Sequence, residues 1–417
     1  MGWNSWICFG TSVKEEEVKA NADFMSENLL QSGWEYIVID AGWYAPGMVK
    51  LEQYESTNPE QLIDEYGRLI VDAEKYPSSI NRKGLKPLAD YIHKKGLKLG
   101  IHIMRGIPIQ AVKENTPIKG TNFHARDIVN YNSQCDWYFG FYGIDMSKPG
   151  AQEYYNSIFE LYESWEIDYI KADDLLSPVY AVDEIDAIRA AMDKIKRPMV
   201  LSLSPGPAPI ENINHLKQTA QLWRISEDFW DNWESLKDQF ALCRKWQVYI
   251  GDGSWPDADM LPVGPMAQRA MRGAPRLSHF TQDEQYTMMT LWAMFRSPLM
   301  LGCNLPELDD FTLKLITNDE VIKINQYSVG NKELFERDGV ICWHAKSKDH
   351  TTDYIALFNL NDNRINNYVF DLKEINHIGN SIAEELWLKN SFKINNNTIE
   401  LSINPHGVKL IKIKNKN

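Results

Sequence analysis

Lys171 and Asp173 stand two positions apart at the end of the apolar run IDYIKADD (167–174). If that run is a strand, alternation puts both side chains on one face, and burying an ammonium beside a carboxylate is costly unless the pair is used. Other acids recur in comparable places. Asp40 closes YIVID (36–40), Asp228 stands four residues after Arg224 in QLWRISED (221–228), and Asp257 and Asp259 follow Trp255 in WPDADM. Trp6, Trp43, His102 and Arg105 accompany them. Carboxylates interleaved with cations and Trp suit oxocarbenium chemistry on a sugar: one carboxylate attacks or stabilises, and another protonates the leaving oxygen. Simpler roles compete for several of them. Asp174 suits a helix N-cap, Glu227 and Asp231 leave the acid of the 221–228 segment ambiguous, and Arg224 would serve merely to pair with Asp228. Trp255 and the acids after it could form a rigid loop with Asx turns. Trp3, Trp223 and Trp292 suit a core, and Trp6 suits core and platform equally.

Such groups need a frame that gathers strand ends. The stretch 14–32 carries Val18, Ala22, Met25 and Leu29 at helical spacing and stops at Gly33, and YIVID follows as a strand. Helix 84–96 precedes strand 97–104, helix 150–165 precedes 167–174, and helix 183–195 precedes 198–204. Helix 211–218 leads into 221–228 and helix 233–245 into WQVYIGDG (246–253). With MGWNSW at the start and SPLMLG (297–302) at the end, eight alternating βα units predict an α/β fold, a (β/α)8 TIM barrel. Catalytic groups of such barrels sit at the C-terminal ends of the strands. That is where Trp6, Asp40, Trp43, His102, Lys171, Asp173, Ser204, Arg224, Asp228, Trp255 and Asp259 fall. From about residue 328 the pattern becomes short alternating runs between Asn, Asp, Gly and Lys turns, the mark of a C-terminal antiparallel β-sandwich. The expected division is a catalytic barrel over 1–325 and a sandwich over 326–417, the latter bracing the barrel rather than binding carbohydrate.

Composition narrows the function. The 417 residues carry 44 Lys and Arg against 57 Asp and Glu, a formal net charge of −13, which repels phosphate backbones and anionic lipid. Nucleic-acid binding is not expected, and with no run of 18 apolar residues neither is membrane insertion. Five widely spaced cysteines without CxxC, and nine His without HExxH, predict no disulfide framework, no metal and no cofactor. A carbohydrate substrate is the expected partner, and a homo-oligomer stays open. The dense start MGWNSWICFG shows no charged-then-apolar leader. The compartment is periplasmic or secreted if a leader was removed and cytoplasmic otherwise.

In this order, MGWNSW (1–6), YIVID with Trp43 (36–43), GRLIVDAEKYPSS (67–79), GLKLGI (96–101), DYIKADD (168–174), WRISEDFWDNW (223–233) and WPDADMLPVG (255–264) resemble glycoside hydrolase family 27, which holds α-galactosidases and α-N-acetylgalactosaminidases. The resemblance covers the barrel, and the tail is similar to the family's second domain. It implies a nucleophile at Asp173, an acid/base at Asp228 beside Arg224, and a retaining double displacement without a cofactor. It also implies sugar contacts from Trp6, Asp40, Lys171, Asp259 and Met260, with Lys171 keeping Asp173 ionised. Three positions depart from the family pattern. The acid pair of its α-galactosidases at strand 2 is here Asp40-Ala41, a Cys two residues after the nucleophile is Leu175, and a Glu at strand 5 is Ser204. Ser204 leaves room beside C2 of the sugar. The expected activity is hydrolysis of terminal α-D-galactosyl units. The alternatives are α-N-acetylgalactosaminidase, β-L-arabinopyranosidase and α-1,6-glucan isomaltose-releasing activity, or a carbohydrate-binding barrel that has lost catalysis.

Overall fold

Short β-branched and aliphatic runs, each followed by an amphipathic helix, build a parallel sheet whose strands are buried on both faces. The computed structural model describes residues 1–46, 60–81, 83–251, 253–269, 273–377, 382–394 and 396–414. Seven strands lie in the spatial order Leu222–Arg224, Val200–Leu203, Tyr169–Asp173, Lys98–Met104, Tyr36–Ile39, Gly2–Asn4 and Met300–Leu301, and Trp255–Asp257 completes the eight of this curled parallel sheet. The first strand pairs in parallel with both the second and the last, as a barrel requires. Helices Glu15–Asn28, Lys86–His93, Ala151–Ser164, Val182–Lys194, Ile213–Thr219, Trp233–Trp246 and Gln282–Phe295 alternate with the strands. The TIM-barrel expectation therefore holds.

One strand was misplaced by the sequence pattern. WQVYIGDG alternates, yet Trp246 is the last residue of a helix, Gln247–Tyr249 is a 3-10 turn and Val248 is 73% exposed. The strand comes later, at Trp255–Asp257. Period-two hydrophobicity over a few residues does not distinguish a helix end from a strand. Likewise Trp6 does not end a strand: Gly2–Asn4 stops when the Asn4 Oδ1 accepts the Trp6 N–H at 2.8 Å, and the helical turn Trp6–Phe9 begins.

By compactness the chain divides into two units. The first holds residues Met1–Asp228, Gly264–Leu277 and Met300–Leu308, and the second Phe229–Val263, Ser278–Leu299 and Asp309–Asn417. In the second unit, strands Val329–Arg337, Val340–Lys346, Thr352–Asn359, Val408–Lys414, Ile382–Glu385 and Asn390–Lys393 form an antiparallel sheet, and Ile365–Asp371 pairs with Thr398–Ile403 in another. Cys342, Ile355, Leu357, Phe370, Ile399, Leu401 and Ile411 share the core between the two. Helix Gln282–Phe295 is buried nearly all round. It is tied to this β structure where Thr287 Oγ1 donates to the His406 carbonyl at 2.6 Å and Trp387 Nε1 to Thr290 Oγ1 at 2.9 Å.

Within the first unit, strands Ile107–Pro108, Val129–Gln134 and Phe141–Ile144 form a small sheet beyond the third barrel strand. Arg105 holds it. Its Nη1 donates to Ser133 Oγ at 2.9 Å and Glu184 Oε1 at 2.7 Å, its Nη2 to Asp174 Oδ2 at 2.7 Å, and Tyr155 donates to Glu184 Oε2 at 2.5 Å. Next to it, Gly106 has φ +90°, and a Cβ there would sit 2.0 Å from the Tyr142 carbonyl oxygen, so only glycine fits. Asp174 is thus no N-cap: it takes a left-handed φ of 64° and turns its carboxylate to Arg105. Burial raises the Asp174 and Glu184 carboxyls, and Arg105 offsets only part of that. Replacing the guanidinium leaves two buried acids uncompensated. Arg105→Leu is expected to lose about 3–5 kcal/mol of unfolding free energy. In denaturant titrations the deficit should be larger at pH 8 than at pH 5, where protonation of the raised acids relieves it.

Candidate active site

A cavity of about 430 Å³, within the usual size range of small-ligand sites, opens at the strand ends of the first unit. Its walls include Trp6, Asp40, Ala41, His102, Lys171, Asp173, Glu227 and Asp228. Register explains part of this convergence: His102 pairs with Lys171, and Lys171 with Ser202, so groups from three adjacent strands share one level.

Asp40 is almost wholly buried, and the end of the first strand holds it. Asn4 Nδ2 donates to its Oδ2 at 2.8 Å, and Ser5 Oγ accepts the Asp40 N–H at 2.9 Å. Its Oδ2 also accepts from Lys171 Nζ at 2.9 Å, while Oδ1 accepts the Ala41 N–H at 2.8 Å. The ammonium lies 6.0 Å from the Trp6 ring centroid, within cation–π range. Burial raises the Asp40 carboxyl, but Lys171 and His102 outweigh it and hold the group below its ordinary value. Lys171 moves the opposite way. Burial alone lowers it, and Asp40 with Asp173 raises it well above the ordinary lysine value.

Asp173 accepts at both oxygens, from the Ser204 hydroxyl at Oδ1 and from His102 Nε2, 2.6 Å from Oδ2. His102 is wholly buried and its Nδ1 has no partner among the described residues. The Nε2 side of the imidazole therefore faces the carboxylate and is placed to donate to it. Burial opposes ionisation of Asp173, yet Lys171, His102 and the Ser204 bond prevail and hold it far below the ordinary carboxylate range. The expected influence of Lys171 on Asp173 is thus present, although its hydrogen bond goes to Asp40. The result is an immobilised, ionised carboxylate facing a cavity.

Asp228 has the opposite environment: its side chain is 47% exposed, with Arg224 Nη2 3.4 Å from Oδ1. Glu227 also lines the cavity, so the ambiguity between these two neighbours has a structural basis. An ionised, buried carboxylate and a solvated one on a shared cavity can divide the roles of nucleophile and proton donor.

Other expected contacts lie elsewhere. Trp43, expected at a sugar face, is 1% exposed; its indole donates to the His102 carbonyl at 2.8 Å and its rings meet Tyr44, Tyr162 and Trp165 edge-on. It supports His102 from the core. Ser204 is 1% exposed and spends its hydroxyl on Asp173. Trp255, Asp259 and Met260 belong to the second unit and are not among the cavity's lining residues. The Trp255 ring is covered by Arg296 at 4.6 Å, and Asp259 accepts the Phe229 N–H at 2.7 Å. The lining also contains Trp137, which strand-end reasoning missed because it stands on a loop. Its only signal was the aromatic cluster DWYFGFY (136–142).

A family model described as alpha galactosidase A, of the melibiase group, matches residues 1–112 and 138–327. The chain belongs to glycoside hydrolase family 27. It is similar over its whole length to the crystal structure of a family 27 β-L-arabinopyranosidase from Geobacillus stearothermophilus, with 44% identity, TM-score 0.96 and coverage of 96% of that chain. A Bacillus halodurans chain carrying a provisional α-N-acetylgalactosaminidase name gives 41% identity and TM-score 0.89, covering 100% of this chain and 97% of that one. Among curated relatives, the α-galactosidase of Cyamopsis tetragonoloba is 28% identical over 368 residues, 87% of this chain and 73% of the relative. This family 27 member is therefore a glycoside hydrolase, and among its described residues no helix is long and apolar enough to cross a membrane.

The charge cluster sets a pH dependence. Depressed Asp40 and Asp173 contribute stability that is complete above the ordinary carboxylate pKa near 4 and lost as pH falls through their lower folded values. Lys171→Met removes the cation that counts most for both acids. The acid limb of the kcat/KM profile should then move toward neutral pH, and the acid unfolding midpoint should rise.

Proposed function

We propose that the protein is a retaining exo-glycosidase for terminal pyranosyl units of the galacto configuration, with β-L-arabinopyranosyl units preferred and α-D-galactosyl units second. The observation that carries the preference is Ala41. It lines the cavity, buried, directly after Asp40, at the position where the family's α-galactosidases have the second acid of their pair. β-L-Arabinopyranose has the ring configuration of α-D-galactopyranose without the exocyclic CH2OH. A methyl group there offers nothing to a 6-hydroxyl, and a sugar without one loses nothing. The likeness to a β-L-arabinopyranosidase at 44% identity supports this order. The curated α-galactosidases support the galactosyl reading that the sequence placed first.

In this mechanism Asp173 attacks the anomeric carbon as Asp228 protonates the departing oxygen, giving a glycosyl-enzyme of inverted configuration. Asp228 then deprotonates water, which attacks the same carbon and restores the original configuration. His102 and Ser204 hold the nucleophile and, by hydrogen-bonding its charge, make it a better leaving group in the second step. Asp40 and Lys171 present their remaining lone pairs and N–H groups to ring hydroxyls. No cofactor enters the scheme.

Paired kinetics on aryl β-L-arabinopyranoside, α-D-galactopyranoside and α-N-acetylgalactosaminide should give kcat/KM falling in that order, with NMR showing the retained anomer first. A preference for the acetamido sugar, or an inverted first product, would sink the proposal. Ala41→Asp should shift the ratio toward galactoside about tenfold, the worth of one hydrogen bond to a charged group. Asp173→Asn should abolish turnover by orders of magnitude while the protein still folds, its circular dichroism spectrum matching that of the parent.

A further inference from the structure

We infer that Trp137 is the platform on which the leaving group rests during hydrolysis. The inference builds on the glycosidase reading above and assigns a side of the cavity that the catalytic groups leave unassigned. Asp40, 1% exposed, and Lys171, whose side chain is 15% exposed, form the most buried part of the lining, with Trp6 beside the ammonium, and an exo-acting enzyme seats its terminal sugar there. The departing group must lie toward Asp228, whose side chain is 47% exposed. Trp137 lines the cavity from a loop rather than from a strand end, is half-buried, and is flanked by exposed Asp136 and, two residues on, by Phe139 at 44% exposure.

The way the ring is held fits this role. Its indole N–H is shielded and has no partner among the described residues, so no polar bond fixes it. Packing fixes it instead: Trp137 stacks on Tyr138 at 6.5 Å and 27°, and buried Tyr138 packs on Phe141 at 5.6 Å. The loop leaves the small sheet that Arg105 pins through Ser133. An aromatic face held by packing, with no hydrogen bond to orient it, is suited to the apolar face of a sugar or aryl ring and tolerant of what that ring carries. The family model leaves out 113–137, the stretch that ends at this residue, so the platform comes from chain outside the shared pattern.

The test separates the two ends of the cavity. For Trp137→Ala, kcat/KM on the aryl β-L-arabinopyranoside should fall about five- to tenfold. Turnover at saturation should change by less than twofold, and the inhibition constants of free L-arabinose and D-galactose should be unchanged within twofold. Trp137→Phe, which keeps an aromatic face, should recover most of the loss. Methyl glycosides, lacking a ring in the leaving group, should be affected little. If the monosaccharide constants rise in step with the loss, or if neither variant differs from the parent, the assignment is overturned while the glycosidase reading stands. If the parent enzyme releases sugar from none of the glycosides, both fall together.

Discussion

The site depends on one buried arrangement of charge, in which a single ammonium serves two carboxylates. Lys171 bonds Asp40 directly and acts on Asp173 through space. Each acid would be costly to bury alone, and an unpaired Lys171 would be driven toward its neutral form. Together they form a cluster that tolerates burial because the ammonium offsets part of the carboxylate charge and further hydrogen bonds come from Asn4, Ser5, His102 and Ser204. Those partners come from three different strand ends, so the cluster exists only when the sheet is in register. That coupling makes the electrostatics of the cavity a readout of the fold.

A second buried charge cluster stands behind the first and shares its backbone. Asp173 and Asp174 are neighbours, yet one faces the cavity and the other faces Arg105, because the left-handed φ at Asp174 redirects the chain. The Arg105 N–H donates to the Asp173 carbonyl at 3.0 Å while its guanidinium reaches Asp174, Glu184 and Ser133. The backbone of Asp173 and the loop that brings Trp137 are therefore braced by one residue. Arg105, which the sequence set beside the candidate acids, is a brace.

Specificity rests on smaller features than catalysis does. In the proposed mechanism the buried charge cluster serves attack at the anomeric carbon whatever the sugar carries elsewhere on its ring. In the proposed function, discrimination between pyranosides rests on the missing carboxylate at Ala41, and the leaving group rests on the loop aromatic Trp137. Side chains of this kind can change without disturbing the charge cluster, since neither takes part in its hydrogen bonds.

The sequence by itself determined the barrel, its helices within a few residues, the β-rich tail, and Asp40, Lys171, Asp173 and Asp228 as the groups of interest. Alternating periods of 3.6 and 2 report burial locally, and a charged pair at a strand end is conspicuous because burial makes it expensive. Tertiary structure decided the rest. The strand expected at 246–253 lies at Trp255–Asp257, since short apolar alternation fits a helix end equally well. Trp43 turned out to bond the His102 carbonyl from the core and Ser204 to spend its hydroxyl on Asp173, because a residue at a strand end can point to core or cavity and only packing selects between them. Trp137 was invisible for the converse reason. A loop carries no period, and its place at the cavity follows from contacts with Tyr138, Phe141 and Arg105 that no local pattern encodes.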